Sequence, residues 1–474
     1  MARKNKVPHR YYFIGIRGVA MSGLAVMMKS LGYEVAGSDD SGSYADEATE
    51  RRFAELGIEP KIGFDQANIK QFKPDIVVIS AAFGVQNPEY KAAKSGRITI
   101  LTHSEALGKV IEKFEGVGVA GVHGKTTTTS LLAYILKEAG FSPSYAIGAP
   151  DVRDLEGNAH IGDGKYFVVE ADEYKKSEQD KTPRFMDLPL KHVIITSIEL
   201  DHPDVYESAE DVYKAFYDLS IKIPRDGTIV ACIDSPLVRR LASRRVDLKS
   251  LTYGFGSQAQ FQIIDHDESG EATSFSIKNG EKKLGPFTLK LPGAHNVLNA
   301  TGAIVMSLRL GVSEQAVVRA VGSFSGPARR FEKMGQYNGA SIYQDYAHHP
   351  TALDYLIATV RSKFPTKKLT LVFQPHTYSR TGKLLKEFAS SLAKADRLIL
   401  LNIFASAREK SGYVTIKDLV EEVRKLKKET EYRSSLEEAA TYLGGSIDSN
   451  DVVFLVGAGD VYKIYEKLQN LREH

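Results

Sequence analysis

The chain has one cysteine in 474 residues, Cys232, so it holds no internal disulfide and no cysteine-rich metal site. That residue sits in the apolar stretch "TIVACID" and reads as part of a buried strand. No run approaches the roughly 20 apolar residues that span a bilayer. The N-terminal "MARKNKVPHR" is basic, but "YYFIGIRG" after it is too short and too soon broken for a signal peptide. There is no block of like charge. The 62 basic and 59 acidic residues leave +3, which gives no general attraction to nucleic acid or to a membrane. Short-period repeats and low-complexity linkers are missing too. What remains is a cytoplasmic α/β protein, long enough for two to four domains with real cores.

The pattern that is present divides the chain into three blocks. In the first, "YYFIGIRGVAMSGLAVMMKSLGYEVAGSD" reads as strand, glycine turn, helix and strand, with Asp39 ending the second strand. This is the opening of a Rossmann-like unit, which sets phosphates at the helix start and a hydroxyl-rich moiety near the second strand end. Arg17 and Ala20 stand at glycine positions, so the dinucleotide signature is incomplete and a dehydrogenase reading is weakened. "DIVVISAAF" (75–83) is a further buried parallel strand ending in small polar residues.

The second block opens with "GVHGKTTTTS" (121–130), between the apolar "GVGVA" and the helical "LLAYILKEAG". Strand, glycine loop and helix N-terminus together favour a phosphate. Lys125 adds a mobile positive charge, and Thr126 has the position of a Mg²⁺-ligating hydroxyl. Val119 stands where the standard loop has its first glycine, so Gly121 must make the turn. Two acidic clusters follow at strand ends. Glu170, Asp172 and Glu173 close "FVVEADE"; Glu199, Asp201, His202 and Asp204 close "VIITSIELDHPD". Hard oxygen ligands with one imidazole suit the one or two Mg²⁺ ions that accompany a nucleoside triphosphate. Short alternating segments between 251 and 292 predict an antiparallel excursion, and "HNVLNA" begins a helix with His295, Asn296 and Asn299. Those amides suit either the edge of a base or ordinary helix capping and packing.

In the third block, from "GPARRFEKMG" (326–335), four apolar strands end in the polar clusters "QDYAHHP", "QPHTYSRT", "NIFASARE" and "GAGD". Ligand groups collect at such carboxyl ends. Arg330 and Arg380 are candidate clamps for a phosphate or a carboxylate.

Ten stretches in this order, "GIRGVAMSG", "GVHGKTTT", "EADE", "SIELDHPD", "HNVLNA", "RRFE", "DYAHHPT", "FQPHTYSRT", "SAREK" and "GAGD", resemble the Mur ligases over essentially the whole chain. The resemblance implies three domains. A Rossmann-like domain over 1–113 would bind a UDP-sugar. A central P-loop ATPase with a mostly parallel sheet would cover 114–325, and a Rossmann-like domain over 326–474 would bring the amino acid. It further implies ATP-dependent ligation of L-alanine to the carboxylate of UDP-N-acetylmuramate in cytoplasmic peptidoglycan precursor synthesis. The alternative is a ligase that joins a recycled tripeptide to the same sugar. A monomer or weak homodimer, with no nucleic acid or membrane partner, is expected.

By the same resemblance, Gly121, His123, Gly124, Lys125, Thr126 and Thr127 form the nucleotide loop, with Lys125 on the outer phosphates. Thr126 and Glu170 would hold one Mg²⁺, and His202 would ligate a second. His295, Asn296 and Asn299 would lie beside the adenine, Asp345 and Arg330 beside the rest of the nucleotide. Ser22, Asp39, Ser80 and His103 would face the UDP-sugar. Tyr346, His348 and Arg380 would surround the amine and the reacting carboxylate. Four positions depart from the usual pattern: Arg17, Ala20, Ser197 and Gln344. The segment "EADEYKKSEQDKTPRFMD" resembles the tripeptide ligases, whereas "FQPHTYSRT" and "SAREK" favour free alanine.

Two other classes account for less. A nucleotide-dependent dehydrogenase leaves Gly-Lys-Thr and both acidic clusters without a role, and a P-loop switch protein leaves two further domains unexplained.

Overall fold

The computed structural model describes residues 9–40, 47–149, 152–245, 247–248, 250–405, 409, 411–427 and 429–471. Of the "SAREK" stretch, 406–408 and 410 lie outside the described residues, as does the chain before residue 9.

The apolar runs become strands of three sheets in series, as expected for an α/β chain. In the first, Arg10–Ile14 is central, flanked by Glu34–Asp39 and Ile76–Ile79, with Lys61–Ile62 and Thr99–Thr102 at the edges. All four pairings are parallel, the Rossmann arrangement. The order reverses beside Arg10–Ile14, so the crevice at its carboxyl end receives Gly15, Arg17 and the helix Val19–Ser30.

The middle sheet has ten strands. Its parallel part runs Phe261–Asp267, Ser250–Gly254, Thr228–Cys232, Leu190–Ile195, Glu115–Ala120, Tyr166–Ala171 and Ser144–Ala146. Thr273–Asn279 and Lys282–Leu289 extend one end antiparallel, where the alternating pattern predicted it. Ala159–His160 pairs antiparallel at the other. Both faces of the central strands are covered, so they are apolar at nearly every position rather than at alternate ones. Cys232 is buried in its strand. Helices Lys125–Glu138 and Ala294–Arg309 pack against each other over this sheet.

The third sheet runs Glu332–Tyr337, Ala340–Asp345, Asp451–Val456, Lys368–Phe373, Arg397–Leu400 and Thr430–Tyr432, parallel except for its first strand. No helix among the described residues is long and apolar enough to cross a membrane.

The three units meet through specific contacts. The amide of Asn158 donates to Val19 O at 3.2 Å, and Ser104 Oγ donates to Asp187 Oδ2 at 2.6 Å, which seats the first sheet against the middle one. The third unit touches the middle one at residues 199–202, at the carboxyl end of Leu190–Ile195, and also through Tyr355 on His295 and Lys363 on Gly270 O.

Candidate active site

The nucleotide loop follows Glu115–Ala120 and leads into Lys125–Glu138. Gly121 (φ 143°) and Gly124 (φ 78°) lie where side chains are rarely tolerated. A Cβ on Gly121 would lie 2.0 Å from Thr196 Oγ1, and one on Gly124 would lie 2.0 Å from Asn299 Oδ1. The second contact gives Asn299 a visible task. It packs under the loop, while its amide reaches Asn296 Oδ1 at 3.4 Å and that of Asn296 donates to Pro292 O at 2.7 Å. His295 stacks on Tyr355 beside them, its centroid 5.4 Å away, and burial with Arg330 nearby lowers its pKa to about 4.

Lys125 does not point into open space. Its Nζ donates to both oxygens of Glu173, at 3.0 and 2.9 Å, and to Gly121 O at 2.6 Å. Burial works against the ammonium, but the carboxylates of Glu173, Asp172 and Glu170 outweigh it and the pKa is raised. Glu173 is almost wholly buried, and its Oε1 also lies 3.4 Å from His202 Nε2. Thr126 Oγ1 donates to Glu170 Oε1 at 3.2 Å, and Gly148 N donates to Glu170 Oε2 at 2.9 Å. A Cβ on Gly148 would come within 2.8 Å of that carboxylate, so the cradle around it is made of backbone. Burial raises the pKa of Glu170, against the pull of Lys125. A hydroxyl beside a backbone-held carboxylate fits a hard divalent cation, as do Asp172, Glu173 and His202, whose ligand atoms lie within 4.8 Å of one another.

His123 has a different neighbourhood. Its N–H donates to Ser197 Oγ at 2.9 Å, its Nε2 meets Glu199, and its ring lies 4.8 Å from that of His349. Glu199 accepts from Thr351 Oγ1 at 2.8 Å. His349 donates from Nε2 to Leu200 O at 3.1 Å, because a carbonyl only accepts, and Nδ1 then accepts from Thr351 N. Next to these, Arg380 Nε donates to Asp201 Oδ1 at 2.8 Å, with both side chains about 95% buried (5% and 6% exposed). Burial opposes the Asp201 charge, yet His202 and Arg380 hold its carboxyl well below the usual range. His202 is shifted up by Asp201 and Glu173 despite burial. His348 Nδ1 donates to Tyr346 O at 2.8 Å, leaving Nε2 as the acceptor; burial and then Arg380 push its pKa well down, so the ring is neutral near pH 7.

Asp345 accepts from Phe331 N and Ala347 N, both at 2.8 Å, and Arg330 lies over the Tyr346 ring at 5.1 Å. Arg329, which sequence reasoning passed over, stacks on Tyr346 and Tyr462 and donates to Gly457 O and Gly459 O, tying "RRFE" to "GAGD". Gln344, at a position of departure, donates to Glu332 Oε2 at 3.0 Å. In the first unit, Asp39 accepts from Arg17 N at 2.7 Å and Arg17 Nε pairs with Glu50 at 2.7 Å. Ser22 turns back to Val19 O, Ser80 caps Ala82 N, and His103 meets Ala20 O at 3.1 Å. Its pKa is lowered to about 4, by burial first and Arg184 second. Asp39, Ser80 and His103 stand at or just after strand ends of the Rossmann-like sheet, and Ser22 lies in the helix that follows its first strand. Thr127 is buried in the first turn of its helix.

A P-loop ATPase unit flanked by two Rossmann-like units, with acidic strand ends beside the loop, defines the class, and three family models match in that order. They are the Mur ligase family catalytic domain over 10–115, the Mur ligase middle domain over 119–307 and the Mur ligase glutamate ligase domain over 329–459. The chain belongs to the Mur ligase family, whose enzymes are ATP-dependent ligases. Among its relatives is the UDP-N-acetylmuramate–L-alanine ligase of Desulfitobacterium hafniense (strain Y51), 35% identical over 98% of this chain and 100% of that one. The ligase of the same name from Solidesulfovibrio magneticus is 36% identical over 97% of each. The crystal structure of the UDP-N-acetylmuramate-alanine ligase MurC of Thermotoga maritima superposes with a TM-score of 0.80 at 26% identity, covering 98% of this chain and 99% of that one. A murein peptide ligase from Psychrobacter arcticus shares the fold at a TM-score of 0.73 and 23% identity, over 97% and 98%.

Proposed function

We propose that this protein joins the amino group of L-alanine to the carboxylate of UDP-N-acetylmuramate with conversion of ATP to ADP and phosphate, in the cytoplasm and as a monomer or weak homodimer. The observation that carries the reading is the junction itself. The nucleotide loop, through His123, and the two segments bearing His348–His349 and Arg380 come together on residues 199–202, so a phosphoryl donor and an amine can meet there. The relatives of that name span the whole chain.

A carboxylate resists amines because its leaving group would be oxide. One carboxylate oxygen of the sugar attacks the γ-phosphorus, ADP leaves, and an acyl phosphate forms. The amine nitrogen then attacks the carbonyl carbon, and phosphate leaves as the amide appears. Lys125 serves the outer phosphates, with alignment and charge neutralisation as its contribution. Mg²⁺ belongs to this reading: Thr126 with Glu170 would hold one ion and His202 a second. Bound there, it would supply positive charge to the phosphate oxygens. His295, Asn296 and Asn299 lie on the adenine side, Arg330 and Asp345 beside the ribose and phosphates. Ser22, Asp39, Ser80 and His103 face the UDP-sugar. His348, neutral and with Nε2 as acceptor, receives the proton that the attacking amine must shed. Tyr346 and Arg380 frame the amine, and the domains divide at 113/114 and 325/326.

The test is phosphate release and amide mass with UDP-N-acetylmuramate and each amine in turn. L-Alanine is expected to turn over fastest. Glycine and L-serine should follow, because one methyl in a pocket discriminates by about 1–3 kcal/mol. A tripeptide with higher kcat/KM than L-alanine would overturn the choice of amine and make the 170–187 segment the better guide.

A further inference from the structure

Residues 199–202 are gripped from both sides, and the centre of that grip is one ion pair. Asp201 comes from the middle unit and Arg380 from the third, 179 residues later. Both side chains are about 95% buried (6% and 5% exposed). Asp201 sits in an acidic cluster, yet one of its oxygens is doubly engaged and the other faces a histidine. Oδ1 accepts from Arg380 Nε at 2.8 Å and from His202 N at 2.7 Å, and Oδ2 faces His202 Nε2 at 3.7 Å. Such a carboxylate is placed to orient a guanidinium rather than to ligate an ion.

The short hydrogen bond of Arg380 is the one from Nε. Among the described residues its Nη1 makes only a long hydrogen bond to His376 O, at 3.5 Å, which leaves most of the guanidinium fork for another acceptor. That fork is the part of arginine that matches a carboxylate in two parallel bonds. The backbone on both sides is held in uncommon conformations. His202 has φ 51°, and Thr377, a β-branched residue just before the helix Tyr378–Lys383 that carries Arg380, has φ 67°. Positive φ at a β-branched residue persists only where the surroundings enforce it. Here Thr377 N is tied to Phe404 O at 3.2 Å, and Glu409 accepts from Ser379 N at 2.9 Å and from its hydroxyl at 3.1 Å.

We propose that Asp201 is the positioning residue of the amine site: it fixes Arg380 by Nε so that the guanidinium fork presents to the carboxylate of the incoming amino acid, and it seats the third unit over the nucleotide loop. The inference rests on the ligase reading above. Asp201 touches neither substrate. It acts through Arg380, and His349–Leu200 and Thr351–Glu199 hold the same segment in register.

The experiment is a double-mutant cycle with Asp201→Asn, Arg380→Gln and both, each assayed for amide formed and phosphate released. Asp201→Asn is expected to raise KM for L-alanine on the order of 10- to 100-fold, the scale set by misplacing a positioning group. The KM for ATP should move by less than about threefold. Phosphate released per amide should exceed one, because a loosened third unit lets water reach the acyl phosphate. In the Arg380→Gln background the same change should have almost no further effect on the alanine KM. Independent, multiplying effects would overturn the proposal, and so would equal rises in every KM, the mark of a merely structural role. If the asparagine form does not fold, Asp201→Glu keeps the charge in the pocket and should show the alanine-specific rise with normal thermal unfolding. Failure of both variants to fold makes Asp201 structural and ends the proposal. Wild-type protein is measured first: no amide from any amine refutes the ligase reading, whereas a normal wild type with an unaltered Asp201→Asn alanine KM refutes only this inference.

Discussion

Replacing Lys125 by methionine should separate two effects that the structure superimposes. In the folded protein the ammonium is chelated by both oxygens of Glu173, which is 1% exposed. Its raised pKa keeps the ammonium charged throughout the neutral range; its contribution is complete below the unfolded value of 10.5 and is lost as pH rises through the higher folded value. Removing one member of a buried pair costs about 3–5 kcal/mol, since the other charge stays behind without a counter-ion. His202, 3.4 Å from Glu173, remains as a partial substitute and places the loss near the lower end of that range. The catalytic effect is distinct: loss of a donor to developing charge typically costs roughly 10²–10³ in rate. Glu173→Gln on top of Lys125→Met removes the stranded carboxylate. It should return stability to within about 1 kcal/mol of wild type, because replacing both partners of a buried pair is often nearly neutral. Turnover should not return. The chain has no tryptophan, so unfolding in urea is followed by far-ultraviolet circular dichroism or tyrosine emission, beside phosphate release. Lys125→Met as stable as wild type would refute the energetic argument. A double variant with more than about a tenth of wild-type turnover would refute the role of Lys125 on the phosphates.

Gly124→Ala should weaken binding of a non-hydrolysable ATP analogue by at least roughly tenfold, because the added Cβ meets Asn299 Oδ1 at 2.0 Å and φ is 78°. The backbone strain alone costs about 1–2 kcal/mol. Asn299→Ala in the same chain should recover part of that loss by relieving the contact but not the strain, and an unchanged affinity in calorimetry would contradict the loop geometry. His192→Asn addresses acid stability: burial pushes the imidazole down to about 4 from its ordinary 6.5, so it stays neutral in the folded chain. As pH falls below 6.5 the unfolded chain takes up the proton first, and the wild type loses up to about 3 kcal/mol by pH 4. The variant should lack that part of the pH slope, and parallel stability curves from pH 7 to 4.5 would show the shift to be absent.

Much of this architecture was legible from local pattern. Asp39 ends its strand as the glycine turn and following helix require, and "TIVACID" is a central strand because it is apolar throughout. Gly121 makes the turn that Val119 cannot, with φ 143°. The antiparallel excursion was visible as alternation before Thr273–Asn279 and Lys282–Leu289 formed. Partnerships across the chain were not legible. Nothing local says that Asn299 underlies Gly124, 175 residues away, because an amide in a helix has the same neighbours whether it meets a base or a loop. Glu173 read as one of three acids, yet burial makes it the partner of Lys125, while Glu170 keeps Thr126. His349 carries no sequence signal of its own, and its two nitrogens are spent on Leu200 and Thr351. Asp201 read as a metal candidate because its partner is in another unit.

Two cations at the junction, Lys125 and Arg380, are held differently, and the difference suits the tasks proposed for them. A buried ammonium or guanidinium without a counter-ion would cost several kcal/mol, so each needs a carboxylate before any anionic ligand arrives. Lys125 has both oxygens of Glu173, a hold it would have to loosen in order to follow a phosphate. Lysine suits this, as a point charge on a flexible stem. Arg380 holds one oxygen of Asp201 by Nε, so it could accept a second carboxylate without leaving the first. A planar fork fixed from behind loses little freedom on binding, whereas a lysine in that place would have to choose between partners. Phosphoryl transfer asks for a charge that moves with the phosphate, and amine selection asks for one that stays still. The same pairing of a buried base with a buried acid meets both demands through the choice of lysine or arginine.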